Sequence, residues 1–592
     1  MLFTVMLGLV YMSVLTTNKV SRRNEFLVIA GLCILGMILR TQQLGSGALN
    51  PDEMTGAMSA WRLITDGRAM ESKSVMPASA LLHTLQIFTF WLGGNASAEL
   101  ARFWPAIAGS LFVLWPVLLR NWIGRDRVLV AVALQVVSPV LWIVSRTGDG
   151  MSLALICGLT MLAGWKKFCG SSDRWALTVA SASLGAGLAS GPQFMTIMFI
   201  GAVFTIFNFR IGARYWRSIR PEIHAVLVPA ACTFVLVATA VFRYPAGILA
   251  VGDSWILWLS NWSRIVGERH FALIPSLLLL HEGILLVLAL VGVWLLARRG
   301  ERLRELVSLS VIGLGFCLLY AGRESNDIIW VMLPLTVLAS EAVVWGWRVG
   351  LRRMERFISI WQVIAHLMLI GFGYMVVAQY ADGRGIKILP GDWDILVQVV
   401  GLGVIGVMIV FLFASAWSRV IARRAIIVTL LLSLVACSSH SRTRLGEGVS
   451  LEALDFWYED NVSVEGRLLL ETLEEISLKA TGHSREVRIE VIGESFGQLD
   501  WLLREYPNVK WRNRLSAGIN SPAVIVMGEV VTREIEDRYF GQDFVDTVSR
   551  TAWPTDSKGW ASYLIFGETP VEQTKMVLWI RSDYILEGSR AG

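Results

Sequence analysis

Charge is scarce in this chain: Asp, Glu, Lys and Arg together make up 17% of its 592 residues. Hydrophobic residues make up 54%, more apolar surface than a soluble domain can use, whereas a chain solvated by lipid can use it. Cysteine is equally sparse. Of Cys33, Cys157, Cys169, Cys232, Cys317 and Cys437, all but Cys169 lie in or at the edge of apolar runs. No pair has metal-ligand spacing, so neither a disulfide framework nor a zinc site is suggested. No P-loop pattern is present, so ATP is not implied. The net charge of +6 comes from Lys and Arg placed in short loops rather than in one patch, which gives no sign of a nucleic-acid partner. "LVAC" at 434–437 looks like a lipoprotein box, but deep in the chain it reads as the end of a span.

What the chain does have is a series of long apolar runs: 25–41, 101–119, 128–144, 151–165, 176–190, 193–208, 223–242, 271–297, 305–321, 328–347, 357–379, 394–417 and 425–438. Basic residues mark every second loop. Lys19, Arg22 and Arg23 precede the first run, Arg120, Arg125 and Arg127 follow the second, and the pattern continues to Arg419, Arg423 and Arg424. Cytoplasmic loops are the basic ones, so about thirteen spans alternate without conflict. The expected fold is a polytopic α-helical membrane protein of the inner (plasma) membrane. Residues 1–24 form an apolar segment and basic loop, 25–440 the transmembrane domain, and 441–592 an extracytoplasmic α/β domain. The first 16 residues lack a basic n-region and a clear cleavage site, so an extra membrane helix is favoured over a signal-like segment or an upstream start.

This topology places loops 42–100, 145–150, 243–270, 322–327 and 380–393 outside. In the first of these, "NPDE" puts Asn50 at an N-cap and Pro51 at the first helical position, where its missing N–H costs nothing. Asp52 and Glu53 then occupy the first turn, where carboxylates favour the helix dipole. Met54, Ala57, Met58, Trp61 and Ile64 share one face and Gly67 is a natural stop, so the predicted element is an amphipathic helix on the membrane surface. Capping explains these residue types and leaves open whether the acids face a cavity.

Other residues at outer edges add to the set. Arg146, Thr147 and Asp149 sit in a short polar turn whose Gly and Asp also serve ordinary turn chemistry. His281 and Glu282 interrupt a long apolar run. A charge there costs about 2.5–3.5 kcal/mol and usually faces a cavity or a partner; a structural interhelical hydrogen bond is an equal reading. Arg323, Glu324 and Asp327 end another span. Trp255, Trp258 and Trp262 accompany Arg264 and Arg269, and at that depth Trp more often forms an interfacial belt than a ligand site.

These features together resemble the GT-C superfamily of membrane glycosyltransferases, nearest the protein O-mannosyltransferase and aminoarabinose-transferase group. "NPDE" is similar to that group's "hPDE" element, and "FTFWLGGNASAELARFWPAIAGSL" to its "FxxFGxsxxxaRlpxaxxG" stretch, with Arg102 as the shared Arg. "SPVLWIVSRTGDGM" is similar to "SPxxxxxSRxxrxD". A flippase-associated subfamily is closer still, through Glu282 and through "GQLDWLLREYPNVKWRN" and "PAVIVMG". Two of its elements are absent. "MPASALLH" stands where that subfamily has His-Gly-Pro, with Pro77 near the matching place, and "RESNDIIW" replaces Glu-Lys-x-Pro-Trp.

The resemblance implies transfer of a sugar from a polyprenyl-phosphate lipid to an extracytoplasmic protein, glycan or lipid acceptor, by an inverting displacement. It implies Asp52 as general base, Glu53 as its support or as an orienting group for the acceptor, and Arg146, Arg323 and Arg102 as contacts to the donor phosphate. Asp149, Glu282, His281 and Arg264 would orient the sugar or line the cavity. No cofactor is required; the carboxylates allow a divalent cation, but no ligand spacing demands a metal.

After about 450 the composition turns polar. "SVEGRLLLETLEEISLKA" and "GQLDWLLREY" have a helical period, while "REVRIEVIG", "NVKWRN" and "SPAVIVMG" read as strands, which predicts a small layered α/β domain. "VIGESFG" does not match a dinucleotide fingerprint. The Trp residues near the C-terminus are read as core packing before sugar stacking. This domain would bind the acceptor or dock a partner. Two rival readings stand beside the enzyme: a non-catalytic scaffold subunit of a larger membrane complex, favoured by the two absent elements, and a lipid-linked sugar flippase or transporter. The second is disfavoured because the two halves show no internal similarity.

Overall fold

A computed structural model describes residues 22–45, 47, 49–65, 79–264, 269–299, 303–347, 350–384, 393–446, 455–458, 462–463, 465–493, 498–514, 519–528, 538–551, 553–554 and 556–586. The first 16 residues, Pro77 and Gly67, on which expectations were placed, lie outside them.

Every apolar run is helical. The membrane domain opens with α1 (Arg22–Thr41), then α2 (Pro51–Thr65), α3 (Ala80–Gly93) and α4 (Ala98–Phe112). A short turn, α5 (Arg120–Ile123), leads to α6 (Arg125–Val137) and α7 (Pro139–Val144). There follow α8 (Met151–Ser171), α9 (Arg174–Leu188), α10 (Pro192–Phe207), α11 (Phe209–Ile219), α12 (Ile223–Ala238) and α13 (Gly247–Ser260). The set closes with α14 (Arg269–Arg299), α15 (Leu303–Leu319), α16 (Ile329–Trp347), α17 (Arg353–Ala381), α18 (Trp393–Ala416) and α19 (Arg419–Gly446). Among the described residues, nine helices are long and apolar enough to cross a membrane. The expected runs at 128–144, 176–190, 193–208 and 305–321 are short or broken and fall outside that nine. The last helix continues to Gly446, past the expected domain boundary at 440.

One break has a full accounting. Pro139 has no N–H, and Ser138 caps α7 by accepting from the Leu141 N–H. The carbonyls of Gln135, Val136 and Val137 therefore lose their helical donors. Arg40 of α1 donates to Gln135 O (3.3 Å), and Arg442 of α19 donates to Val136 O (3.1 Å) and Val137 O (2.6 Å). Ser438 also donates to Val137 O. The displaced Val140 N–H donates to Glu282 Oε1 (3.3 Å), which also accepts from the Ser138 hydroxyl. Glu282 sits where α14 itself breaks, with φ −130° and ψ 17°. Side chains of α1, α14 and α19 thus satisfy the backbone groups freed at this break inside an apolar bundle, as a lipid environment demands.

The C-terminal domain is a six-stranded sheet ordered β1-β5-β6-β4-β2-β3. Its strands are β1 (Val462–Ser463), β2 (Ile489–Ile492), β3 (Val509–Arg512), β4 (Ala523–Met527), β5 (Tyr539–Arg550) and β6 (Val571–Arg581). Helices α20 (Gly466–Thr481), α21 (Gln498–Leu502), α22 (Ser557–Phe566) and α23 (Asp583–Leu586) complete it. β2 pairs in parallel with β3 and β4, while β6 runs antiparallel to β4 and β5. Leu469 and Leu473 of α20 pack on Ile489, Val491 and Ile525 of the sheet.

Two anchors hold this domain to the bundle. In the first, buried Asp455 accepts from the Tyr563 hydroxyl (3.0 Å), Arg444 (3.2 Å) and the Trp457 N–H (3.0 Å), and lies 3.7 Å from His281. Phe456 stacks on Trp553 at 4.5 Å and packs against Trp560 and Tyr563. The late aromatics are thus packed inside the junction. In the second, Arg62 of α2 donates to both carboxylate oxygens of Asp500 (2.6 and 2.5 Å), and Arg504 Nε donates to Ala96 O (2.9 Å). The domain therefore grips the same end of the bundle that carries Asp52 and Glu53.

Candidate functional site

Helix α2 begins as its sequence dictates. Pro51 is its first residue, and the Asn50 N–H donates to Glu53 Oε2 at 2.8 Å, the reciprocal half of a capping arrangement. Glu53 does more than cap. It is 5% exposed and receives a two-pronged donation from Arg102: Nη2 to Oε2 at 2.6 Å and Nε to Oε1 at 3.2 Å. The Gly148 N–H also donates to Oε1. A Cβ at Gly148 would lie 3.1 Å from Glu53 Oε1, so a side chain there would require the Glu53 carboxylate to shift. Arg102 continues to Gly47 O (3.0 Å) and Leu44 O (3.4 Å), so one guanidinium ties α4, α2 and the chain entering α2.

Asp52 differs from its neighbour. It is exposed, yet burial is the first cause raising its carboxyl above the usual range, with the charge of Glu53 second. Through Glu53 and Gly148, the loop carrying Asp149 joins this group. Asp149 accepts from the Met151 N–H (3.1 Å) and from the Asn326 amide. Burial pushes its carboxyl up to about 7, the nearby Glu53 charge adds to this, and the hydrogen bonds partly oppose it. Asp149 is therefore balanced between its protonated and ionised forms near neutrality.

The expected phosphate contacts are placed differently. Arg146 stacks on Trp142 at 4.6 Å and donates to the carbonyls of Arg40 (3.1 Å), Gln42 (2.6 Å) and Gln43 (2.7 Å), closing the C-terminal end of α1. Burial and then the Arg102 charge hold it down to about 10, so it stays cationic at neutral pH. Arg323 is 3% exposed and donates to Cys317 O (3.1 Å) and Leu318 O (2.7 Å) at the end of α15. Glu282 and His281 belong to the buried α7–α14 break and to the Asp455 anchor. Arg264 is exposed after the turn at 261–263, next in the chain to Trp258 and Trp262, which pack with Phe199 and Tyr320. The structure thus gathers Arg102, Gly148 and Asp149 around Glu53, next in the chain to Asp52; Arg323 closes the end of α15, Glu282 lies in the buried break, and Arg264 is exposed.

Tyr458 was not predicted. It ends the "DFWY" segment at 455–458, and its hydroxyl lies within electrostatic range of Arg102, Glu53 and Arg146. Burial, only partly offset by Arg102, holds that hydroxyl well above its ordinary pKa, so it remains a donor. The available signal was an aromatic cluster opening an otherwise polar stretch. Asn326, the partner of Asp149, left no such signal. Among the described residues, no group of three or more His, Cys, Asp or Glu could hold a metal ion.

Helical spans joined to a C-terminal sheet domain that grips the first loop make a membrane fold found among solved structures. One of these is ArnT from Cupriavidus metallidurans, in a crystal structure bound to undecaprenyl phosphate: TM-score 0.52, 14% identity, with 94% of this chain and 98% of that one aligned. Its apo structure aligns over 93% and 97% at TM-score 0.47 and 14% identity. No family model and no curated protein matches the sequence. At this identity the likeness is one of fold.

Proposed function

We propose that the protein is a membrane glycosyltransferase that moves a sugar from a polyprenyl-phosphate donor to an extracytoplasmic acceptor, with Asp52 as general base. The observation that carries this reading is the division of labour in the acid pair. Glu53 is fully engaged by Arg102, Gly148 and Asn50, whereas Asp52 is reached by water with its carboxyl pKa raised. A base works best with a pKa near the operating pH, so that shift favours proton transfer. In the reaction Asp52 takes the acceptor hydroxyl proton, the oxygen forms a bond to the anomeric carbon from the face opposite the phosphate, and the carbon–phosphate oxygen bond breaks. Polyprenyl phosphate leaves with that electron pair and configuration inverts. The shared fold with a transferase crystallised on undecaprenyl phosphate supports the donor class.

A second reading has its own support. Arg146 and Arg323 donate to backbone carbonyls, which favours a scaffold subunit built on a transferase fold. Turnover decides between them. Full-length protein in lipid nanodiscs is given a polyprenyl-phosphate hexose and an envelope glycan extract, and released polyprenyl phosphate is measured. Asp52→Asn lowers the rate by about 10²–10⁴-fold with the melting temperature unchanged. A parental rate in that variant would refute the base assignment, and absence of turnover in the parent would favour the scaffold.

A further inference from the structure

One cavity lies away from Asp52. It encloses about 500 Å³ between the far end of α2, the α3–α4 turn and the C-terminal domain. That volume suits one or two sugar-sized groups. Trp61 offers an aromatic face, Thr65 and Asn95 offer polar rims, and Arg62, Arg485 and Arg504 supply charge.

Among the described residues the charges do not balance. Arg62 is committed to Asp500. Arg485 and Arg504 share a single carboxylate, Glu505, so two guanidiniums face one anion. Arg504 is fixed in place, stacked on Trp501 at 4.1 Å and bonded to Ala96 O and Trp501 O. Burial and then the charge of Arg485 hold Arg504 down to about 10, the mark of like charges pressed together. A second anion in the cavity relieves that repulsion.

We infer that this junction cavity is a second subsite for the acceptor, holding an acidic sugar unit (a uronate or a sugar phosphate) against Arg485, Arg504 and Trp61. Arg62 lies ten positions beyond Asp52 on α2, about 15 Å along the axis at 1.5 Å per residue. The unit held there is therefore not the one that reacts, and the acceptor is an acidic glycan of several sugars. The inference rests on the transferase reading for the word acceptor, but not for the site itself. Exposed Phe88, Trp91 and Leu92 on neighbouring α3 make an anionic lipid headgroup the competing source of the same oxyanion. The glycan is favoured because three of the lining residues, Arg485, Arg504 and Glu505, come from the C-terminal domain, beyond the apolar helices.

Calorimetry on the full chain in neutral-lipid nanodiscs tests this without any donor or turnover. Glucose 6-phosphate and glucuronate bind saturably, and methyl glucoside does not. Arg485→Gln weakens binding at least tenfold and Arg485→Lys restores part of it; this side chain is half exposed, so the fold survives its loss. Three results overturn the inference: no saturable binding, equal binding by Arg485→Gln, or inorganic phosphate binding as tightly as the sugar phosphate. Loss of sugar binding when anionic phospholipid is added assigns the cavity to a headgroup instead. Binding with an inactive parent would sink the transferase reading and leave the anionic-sugar site standing; active parent without binding does the reverse.

Discussion

The ion pair beneath Asp52 gives the sharpest quantitative test. Arg102→Met keeps most of the side chain's bulk and removes its charge. Glu53 then stays buried with only the Asn50 and Gly148 N–H groups against it, and the carbonyls of Gly47 and Leu44 lose their donor. Breaking a buried pair from one side costs about 3–5 kcal/mol, because a charge is left uncompensated. Removing both partners, as Glu53→Met with Arg102→Met, leaves no buried charge. The double variant is then less damaged than the sum of the singles, by about 1–3 kcal/mol. Membrane proteins of this size unfold irreversibly, so the readout is the half-life of the folded protein at a fixed temperature in detergent. If the pair is lost in the unfolding transition state, 3–5 kcal/mol shortens the half-life by about 10²–10³·⁷-fold, at 1.36 kcal/mol per factor of ten. A single variant within threefold of the parent, or strict additivity in the cycle, refutes the claim that this bidentate pair holds α2 to α4.

Other outcomes follow from the same geometry. Asp149 has a folded pKa of about 7 against an ordinary value near 3.9, so its protonated form favours the folded state. That contribution is full below about pH 4 and gone above about pH 7; at most about 4 kcal/mol is at stake, less for the solvent that reaches it. Stability of the parent relative to Asp149→Asn therefore falls as pH rises through that window, and a pH-independent difference refutes it. Glu282→Gln is tolerated, because an amide oxygen can still accept from Ser138 and the Val140 N–H; Glu282→Leu strands that buried N–H and costs about 1–3 kcal/mol, measured by thermal inactivation. Arg62→Ala releases Asp500 and loosens the C-terminal domain, so limited proteolysis severs that domain from the bundle faster than in the parent, while Asp500→Asn gives a smaller effect.

The apolar runs were legible because a span must be continuous and hydrophobic, and all thirteen stretches are helical. Strands β2 and β4 were equally plain, since buried central strands carry runs such as "AVIVM", and the half-exposed edge strand β3 was read from "NVKWRN". The hairpin β5–β6 was not legible. "YFGQDFVDTVSR" mixes polar and apolar residues and is only partly buried, and pairing rather than composition makes it a strand. Glu53 and Asp52 look alike in sequence. Their roles diverge only because Arg102, 49 positions on, and Gly148, 95 positions on, converge on one of them. Arg146 and Arg323 fit a phosphate-binding pattern equally well in sequence, but helix ends with unsatisfied carbonyls took their donors.

By itself the sequence determined where the apolar helices lie, the start of α2 and the acidic first turn, because apolar runs, proline chemistry and capping act over a few neighbouring residues. The tertiary structure alone decided which acid is locked and which is reached by water, how side chains of three other helices satisfy the break at Pro139, and where the C-terminal domain leaves a cationic cavity. Those outcomes depend on donors and charges brought together from distant parts of the chain, and no local pattern records such meetings.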